Sequence, residues 1–105
     1  LRGETDIPIA TGEHTYTRWN IRPFLERKIP RFVQCDPEWC GGISEMLKIC
    51  ALVKEYEGVR LIPHGHQVLA AAHVVASQSE SLCPMVEYGE AWIPGHQRLQ
   101  KRFSR

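Results

Sequence analysis

Four ionisable residues recur at matched places along this 105-residue chain: Glu13, Asp36, His64 and Glu87, separated by 23, 28 and 23 residues. Each stands at the end of a short apolar run that reads as a strand. A histidine has an ordinary pKa of roughly 6.5 and exchanges protons near neutrality. Carboxylates can act as general acids or bases, or as oxygen donors to a hard cation. Taken singly, each residue also has a structural explanation. Glu13 can be a loop carboxylate, Asp36 before Pro37 can cap a turn, His64 between Pro63 and Gly65 can be a satisfied loop histidine, and Glu87 can be a solvated strand-end charge. Taken together, four such groups at equivalent places in four repeats favour convergence on one ligand.

The elements that must position them follow a regular alternation. Asp6 to Ala10 reads as a strand, His14 to Trp19 as a loop, and Arg22 to Arg27 as a helix start with Pro23 in its first turn, where a missing N–H costs nothing. Phe32 to Cys35 is the second strand. The stripe Ile43, Met46, Leu47, Cys50 and Val53 marks an amphipathic helix running to about Tyr56, with Gly58 as its C′ residue. Val59 to Ile62, a turn at Pro63 to Gly65, and an alanine-rich helix over Val68 to Ala76 form a third unit. Met85 to Tyr88 is a fourth short strand. Strands alternating with helices predict βαβ units and a parallel sheet. An eight-unit barrel of about 250 residues spends roughly 30 residues on each unit, which suits the observed separations. In such a barrel the strand C-termini share one mouth, with neighbouring strands about 4.8 Å apart.

Composition narrows the function classes. The chain is 43% hydrophobic and 24% charged with a net charge of +1, an ordinary globular balance that gives no field for nucleic acid or an acidic membrane. Four cations lie between Arg98 and Arg105, which reads as a loose tail over residues 98–105. Cys35, Cys40, Cys50 and Cys83 have neither zinc-ribbon spacing nor the density of a secreted disulfide scaffold, so free thiols and a cytoplasmic location are expected. No run of 18 apolar residues predicts a membrane span.

The motifs themselves carry a resemblance. Ile9-Ala10-Thr11-Gly12-Glu13-His14-Thr15-Tyr16-Thr17-Arg18-Trp19 is similar to the fifth-strand motif of mandelate racemase-like members of the enolase superfamily, in particular the rhamnonate-dehydratase-like branch. Val33-Gln34-Cys35-Asp36-Pro37-Glu38-Trp39-Cys40-Gly41-Gly42 resembles the sixth-strand segment, Ile62-Pro63-His64-Gly65-His66 the seventh, and Met85-Val86-Glu87-Tyr88 the eighth. The resemblance implies an α/β fold, the C-terminal portion (strands 5 to 8) of an enolase-type (β/α)7β TIM-like barrel. Residues 1–105 would then form a partial barrel domain, with the N-terminal capping domain and the first half of the barrel outside this sequence.

It also implies roles. Glu13 matches a carboxylate ligand of Mg2+, His64 the general acid/base, and Asp36 the aspartate that orients it. His14 matches an extra histidine of the dehydratase branch, and Glu87 a glutamate that hydrogen-bonds a substrate carboxylate, which requires a shared or held proton. Apart from the resemblance, the hydroxyl of Tyr16, the guanidinium of Arg18 and the indole of Trp19 suit a polyhydroxy acid, and with His66 they are candidate substrate contacts; a packed loop aromatic is the alternative for Trp19 and a loop role for His66. The implied activity is Mg2+-dependent dehydration of a sugar acid, an aldonate or aldarate, to a 2-keto-3-deoxy acid. The implied partners are that small molecule and, for the full-length enzyme, other copies of itself. A racemase or epimerase on the same scaffold, and a non-catalytic half-barrel acting as an interaction module, are the alternatives. One protein carboxylate holds Mg2+ weakly, so the chain by itself is expected to be inactive. Two open sheet edges predict poor solubility or association.

Overall fold

The computed structural model describes residues 4–65 and 68–89. Its elements alternate as expected: β1 (Ala10–Thr11), α1 (Thr17–Glu26), β2 (Phe32–Val33), α2 (Ile43–Lys54), β3 (Arg60–Leu61) and α3 (Val68–Ala76). The strands are parallel in the order β1-β2-β3, with Ala10 opposite Phe32 and Phe32 opposite Arg60. Parallel neighbours need a crossover between them, and α1 and α2 supply the two.

Regular strand is shorter than the apolar runs, but backbone pairing continues toward the C-terminal ends. Gln34 N–H donates to Thr11 O at 2.8 Å, Ile62 N–H to Val33 O at 2.9 Å, and His64 N–H to Cys35 O at 3.1 Å. The fourth segment has no regular strand, yet it runs beside the third. Leu61 N–H donates to Leu82 O at 2.9 Å and Glu87 N–H to Pro63 O at 3.1 Å. These extensions carry the register out to the four ionisable residues.

The core lies between sheet and helices. Ile21 and Leu25 of α1, Val33, Met46, Ile49, Cys50 and Val53 of α2, Leu61, Val74, Leu82 and Cys83 form one buried cluster. Three expectations are corrected. The buried face of α2 is Met46, Ile49, Cys50 and Val53, while Ile43 and Leu47 face outward, because α1 and β3 pack against the other side of the stripe. Gly58 stands beyond the helix, whose C-cap is Glu55. It adopts φ +77°, a left-handed conformation that favours glycine in the turn into β3.

Helix α1 begins at Thr17, which places Pro23 inside it rather than in its first turn. The early start comes from tertiary caps. Thr17 N–H donates to Cys40 O at 2.9 Å and Arg18 N–H to a Glu45 carboxylate oxygen at 2.8 Å, so the first-turn donors are satisfied from the next βα unit.

All four cysteines are free and buried. Burial pushes the Cys35 thiol from 9.0 up to about 12 and the Cys40 thiol up to about 11. A neutral thiol in the fold that ionises more readily unfolded gives stability present below pH 9.0 and lost as pH rises toward about 12. Circular-dichroism melts are expected to fall between pH 9 and about 12 as the unfolded thiols ionise. Cys35→Ala should reduce that slope.

Candidate active site

The sheet register brings Glu13, Asp36 and His64 together. Asp36 is fully buried and His64 nearly so, with 8% of the residue exposed. His64 Nδ1 lies 3.0 Å from Asp36 Oδ2, and its Nε2 lies 3.1 Å from Glu13 Oε2. The imidazole is therefore held between carboxylates of two neighbouring strand ends. A protonated ring donates to both; a neutral ring keeps one nitrogen as an acceptor.

Local chain geometry fixes each member. Asp36 Oδ1 accepts from Glu38 N–H at 2.8 Å, and its carbonyl accepts from the N–H groups of Trp39 and Cys40, closing the turn before α2. That leaves Oδ2 aimed at the ring. Gly12, at φ +121°, turns the chain from β1 into the Glu13 loop. Buried Thr15 braces that loop: its hydroxyl donates to Gly12 O at 2.6 Å and lies 3.2 Å from Cys35 Sγ. Gly65, next to His64, has no room for a side chain, since a Cβ would stand 2.5 Å from Glu87 O. Gly65→Ala is expected to push the fourth segment off the third; loss of the Gly65–Glu87 backbone proximity in NMR spectra checks this.

Beyond that core, His14 Nε2 lies 3.4 Å from Glu13 Oε1, so one carboxylate faces two histidines. The His14 ring stacks on Trp39 with centroids 4.7 Å apart. Glu87 is half-buried and accepts from the Gln34 side-chain amide at 3.0 Å through Oε2. Sequence reasoning passed over Trp39, Thr15 and Gln34 as chemical neighbours. Their polar or aromatic groups act across strands, and no spacing along the chain marks that.

The candidate substrate contacts are placed differently. Arg18 pairs with Glu45 at 2.8 Å, tying α1 to the first turn of α2, and its guanidinium also lies 4.7 Å from the Trp19 ring centroid. Tyr16 and Trp19 are exposed. His66 lies outside the described residues. A groove of about 520 Å3 opens among Lys28, Arg31, Glu55 and Tyr56, at the opposite ends of the strands, where βα barrels carry stability rather than chemistry.

As a metal site the set is partial. Among the described residues no group of three His, Cys, Asp or Glu side chains is arranged to hold a metal ion. Glu13 offers carboxylate oxygens of the kind Mg2+ prefers, but a near-octahedral ion needs further oxygen donors that these residues do not bring to it.

The chain is similar to several known proteins. The family described as Enolase C-terminal domain-like matches residues 1–103. L-rhamnonate dehydratase of Saccharopolyspora erythraea is 40% identical over 80 residues, which are 76% of this chain and 20% of that protein. The crystal structure of rhamnonate dehydratase from Gibberella zeae complexed with Mg superposes with a TM-score of 0.73 at 33% identity, over 83% of this chain and 20% of that one. A mandelate racemase/muconate lactonizing enzyme-like protein from Rubrobacter xylanophilus gives a TM-score of 0.74 at 32% identity, over 83% of this chain and 22% of that one. The chain thus spans about a fifth of the length of the relatives it matches.

Proposed function

Because the chain belongs to the Enolase C-terminal domain-like family of the enolase superfamily, we propose that it forms one part of an Mg2+-dependent acid-sugar dehydratase. The observation that carries the reading is the His64 ring held between the buried Asp36 carboxylate and Glu13. Asp36 accepts from Nδ1, which fixes the tautomer and leaves Nε2 as the atom that moves a proton.

In this reading His64 Nε2 takes the proton from the carbon next to the substrate carboxylate. The hydroxyl on the following carbon then departs as water, with a proton from His14 or from His64 itself, and the resulting enol becomes a 2-keto-3-deoxy acid. Glu87, holding or sharing a proton on the oxygen that Gln34 does not hold, donates it in a hydrogen bond to the substrate carboxylate, and Tyr16, Trp19 and His66 are secondary candidates for contact. Among the described residues Glu13 supplies an oxygen ligand for Mg2+, and the remaining ligands come from elsewhere in the full-length enzyme. When bound, the cation offsets the negative charge that builds on the carboxylate.

L-rhamnonate is the first substrate to try, since a relative is named for it. The reading extends to a cytoplasmic, homo-oligomeric full-length enzyme; no helix among the described residues is long and apolar enough to cross a membrane. Product analysis tests it. A full-length enzyme carrying this segment, given Mg2+ and a panel of aldonates and aldarates, should form a 2-keto-3-deoxy acid, and Glu13→Gln should abolish it. Inversion at the α-carbon without loss of water would point to a racemase instead. No product from either protein would favour a non-catalytic half-barrel.

A further inference from the structure

We propose that Gln34 is a positioning residue of this site, its side-chain amide clamping one oxygen of Glu87 so that the other, which holds or shares a proton, faces the substrate carboxylate. The inference rests on the reading of Glu87 given above. Gln34 lies just past β2, and its backbone is fixed by the 2.8 Å bond to Thr11 O. Glu87 lies on the fourth segment, fixed by its own N–H bond to Pro63 O at 3.1 Å. The strand bearing His64 runs between them. The 3.0 Å bond from Gln34 Nε2 to Glu87 Oε2 therefore crosses the base-bearing strand and joins residues 53 apart. In a βα barrel, alternate strands contribute to the same inward layer, which is why such a link is geometrically natural.

The donor type matters as much as the distance. A carboxylate at a half-exposed strand end has rotamer freedom, and a substrate that needs one defined oxygen gains from having it removed beforehand. A neutral amide can hold the carboxylate but cannot give up or take a proton at working pH, so Gln34 steadies Glu87 without entering the acid–base chemistry. A lysine or histidine here would join that chemistry.

The test is a double-mutant cycle in a full-length enzyme carrying this segment, with L-rhamnonate and Mg2+ as the probe. Gln34→Leu is expected to lower kcat/KM by roughly 10- to 100-fold where Glu87 is present, the scale of losses seen for residues that orient a site group, and to have little effect in a Glu87→Ala background. Equal losses in both backgrounds, or no loss in either, overturn the inference while leaving the dehydratase reading intact. If Glu87→Ala alone leaves turnover unchanged, the role of Glu87 falls and this inference with it. Gln34→Met serves if Gln34→Leu does not fold. An activity-independent readout uses the same full-length enzyme: the Gln34 side-chain amide protons should be well separated in 1H–15N spectra and collapse in Glu87→Ala. An amide unmoved by that change also overturns the clamp.

Discussion

His64→Asn in a full-length enzyme carrying this segment is expected to lower kcat for sugar-acid dehydration by roughly 1,000-fold, because a positioned general acid–base group is worth about 100- to 10,000-fold. Asparagine keeps a donor for the Asp36 carboxylate, so the buried charge retains a partner and the fold should survive. It has no group that titrates near neutrality, so proton removal from the α-carbon loses its base. KM and the affinity for Mg2+ should change little, since neither Glu87 nor Glu13, the proposed substrate and metal contacts, is removed. Steady-state kinetics with an intact circular-dichroism spectrum checks the prediction. A variant whose kcat stays within a few-fold of the parent would show that the proton moves elsewhere.

The second large effect concerns the orienting carboxylate. Asp36→Asn preserves the acceptor that holds Glu38 N–H at 2.8 Å, so the turn into α2 stays closed. The atom facing His64 Nδ1, now 3.0 Å from a carboxylate oxygen, becomes an amide donor. The ring must then accept at Nδ1 and carry its proton on Nε2, the atom that has to take one. A wrong tautomer in an otherwise intact dyad costs as much as about 10,000-fold in the serine-protease case. We expect a loss in kcat of roughly 100-fold or more here. Asp36→Ala should do worse in stability as well, because it opens the turn and leaves a buried ring nitrogen facing a cavity. Melting temperature separates the two: close to the parent for Asn, clearly lowered for Ala.

Much of this arrangement was legible in the residues. The spacing of Glu13, Asp36, His64 and Glu87 follows the repeat of one strand and one helix, and parallel pairing turns that repeat into adjacency. The helix over Val68–Ala76 has the boundaries its alanine-rich run suggests, since a short apolar segment has little choice of face. The first strand moved from Asp6–Ala10 to Ala10–Thr11 because its ladder forms only where Phe32 and Val33 lie opposite, and Pro8 has no N–H to offer. What stayed hidden depends on partners far along the chain. Cys40 and Glu45 cap α1 and set its start, a signal absent from the sequence around Thr17. Glu45 also takes up the Arg18 guanidinium, a group whose chemistry would equally suit a polyhydroxy acid. Ile49 rather than Leu47 faces the core because the helix is rotated by its contacts with α1 and β3, a choice that periodicity alone leaves open between adjacent stripes. The Gln34–Glu87 and His14–Trp39 contacts join separate βα units in the same way.

The most direct measurement is a proton NMR time course of a full-length enzyme carrying this segment, with L-rhamnonate and Mg2+ in D2O. The predicted result is loss of the proton on the carbon next to the carboxylate in step with appearance of the new C3 signal of a 2-keto-3-deoxy acid, both absent in His64→Asn. Inversion at that carbon with no C3 signal, or an unchanged time course in His64→Asn, would contradict the assignment of His64, held by Asp36, as the group that moves the proton in a dehydration.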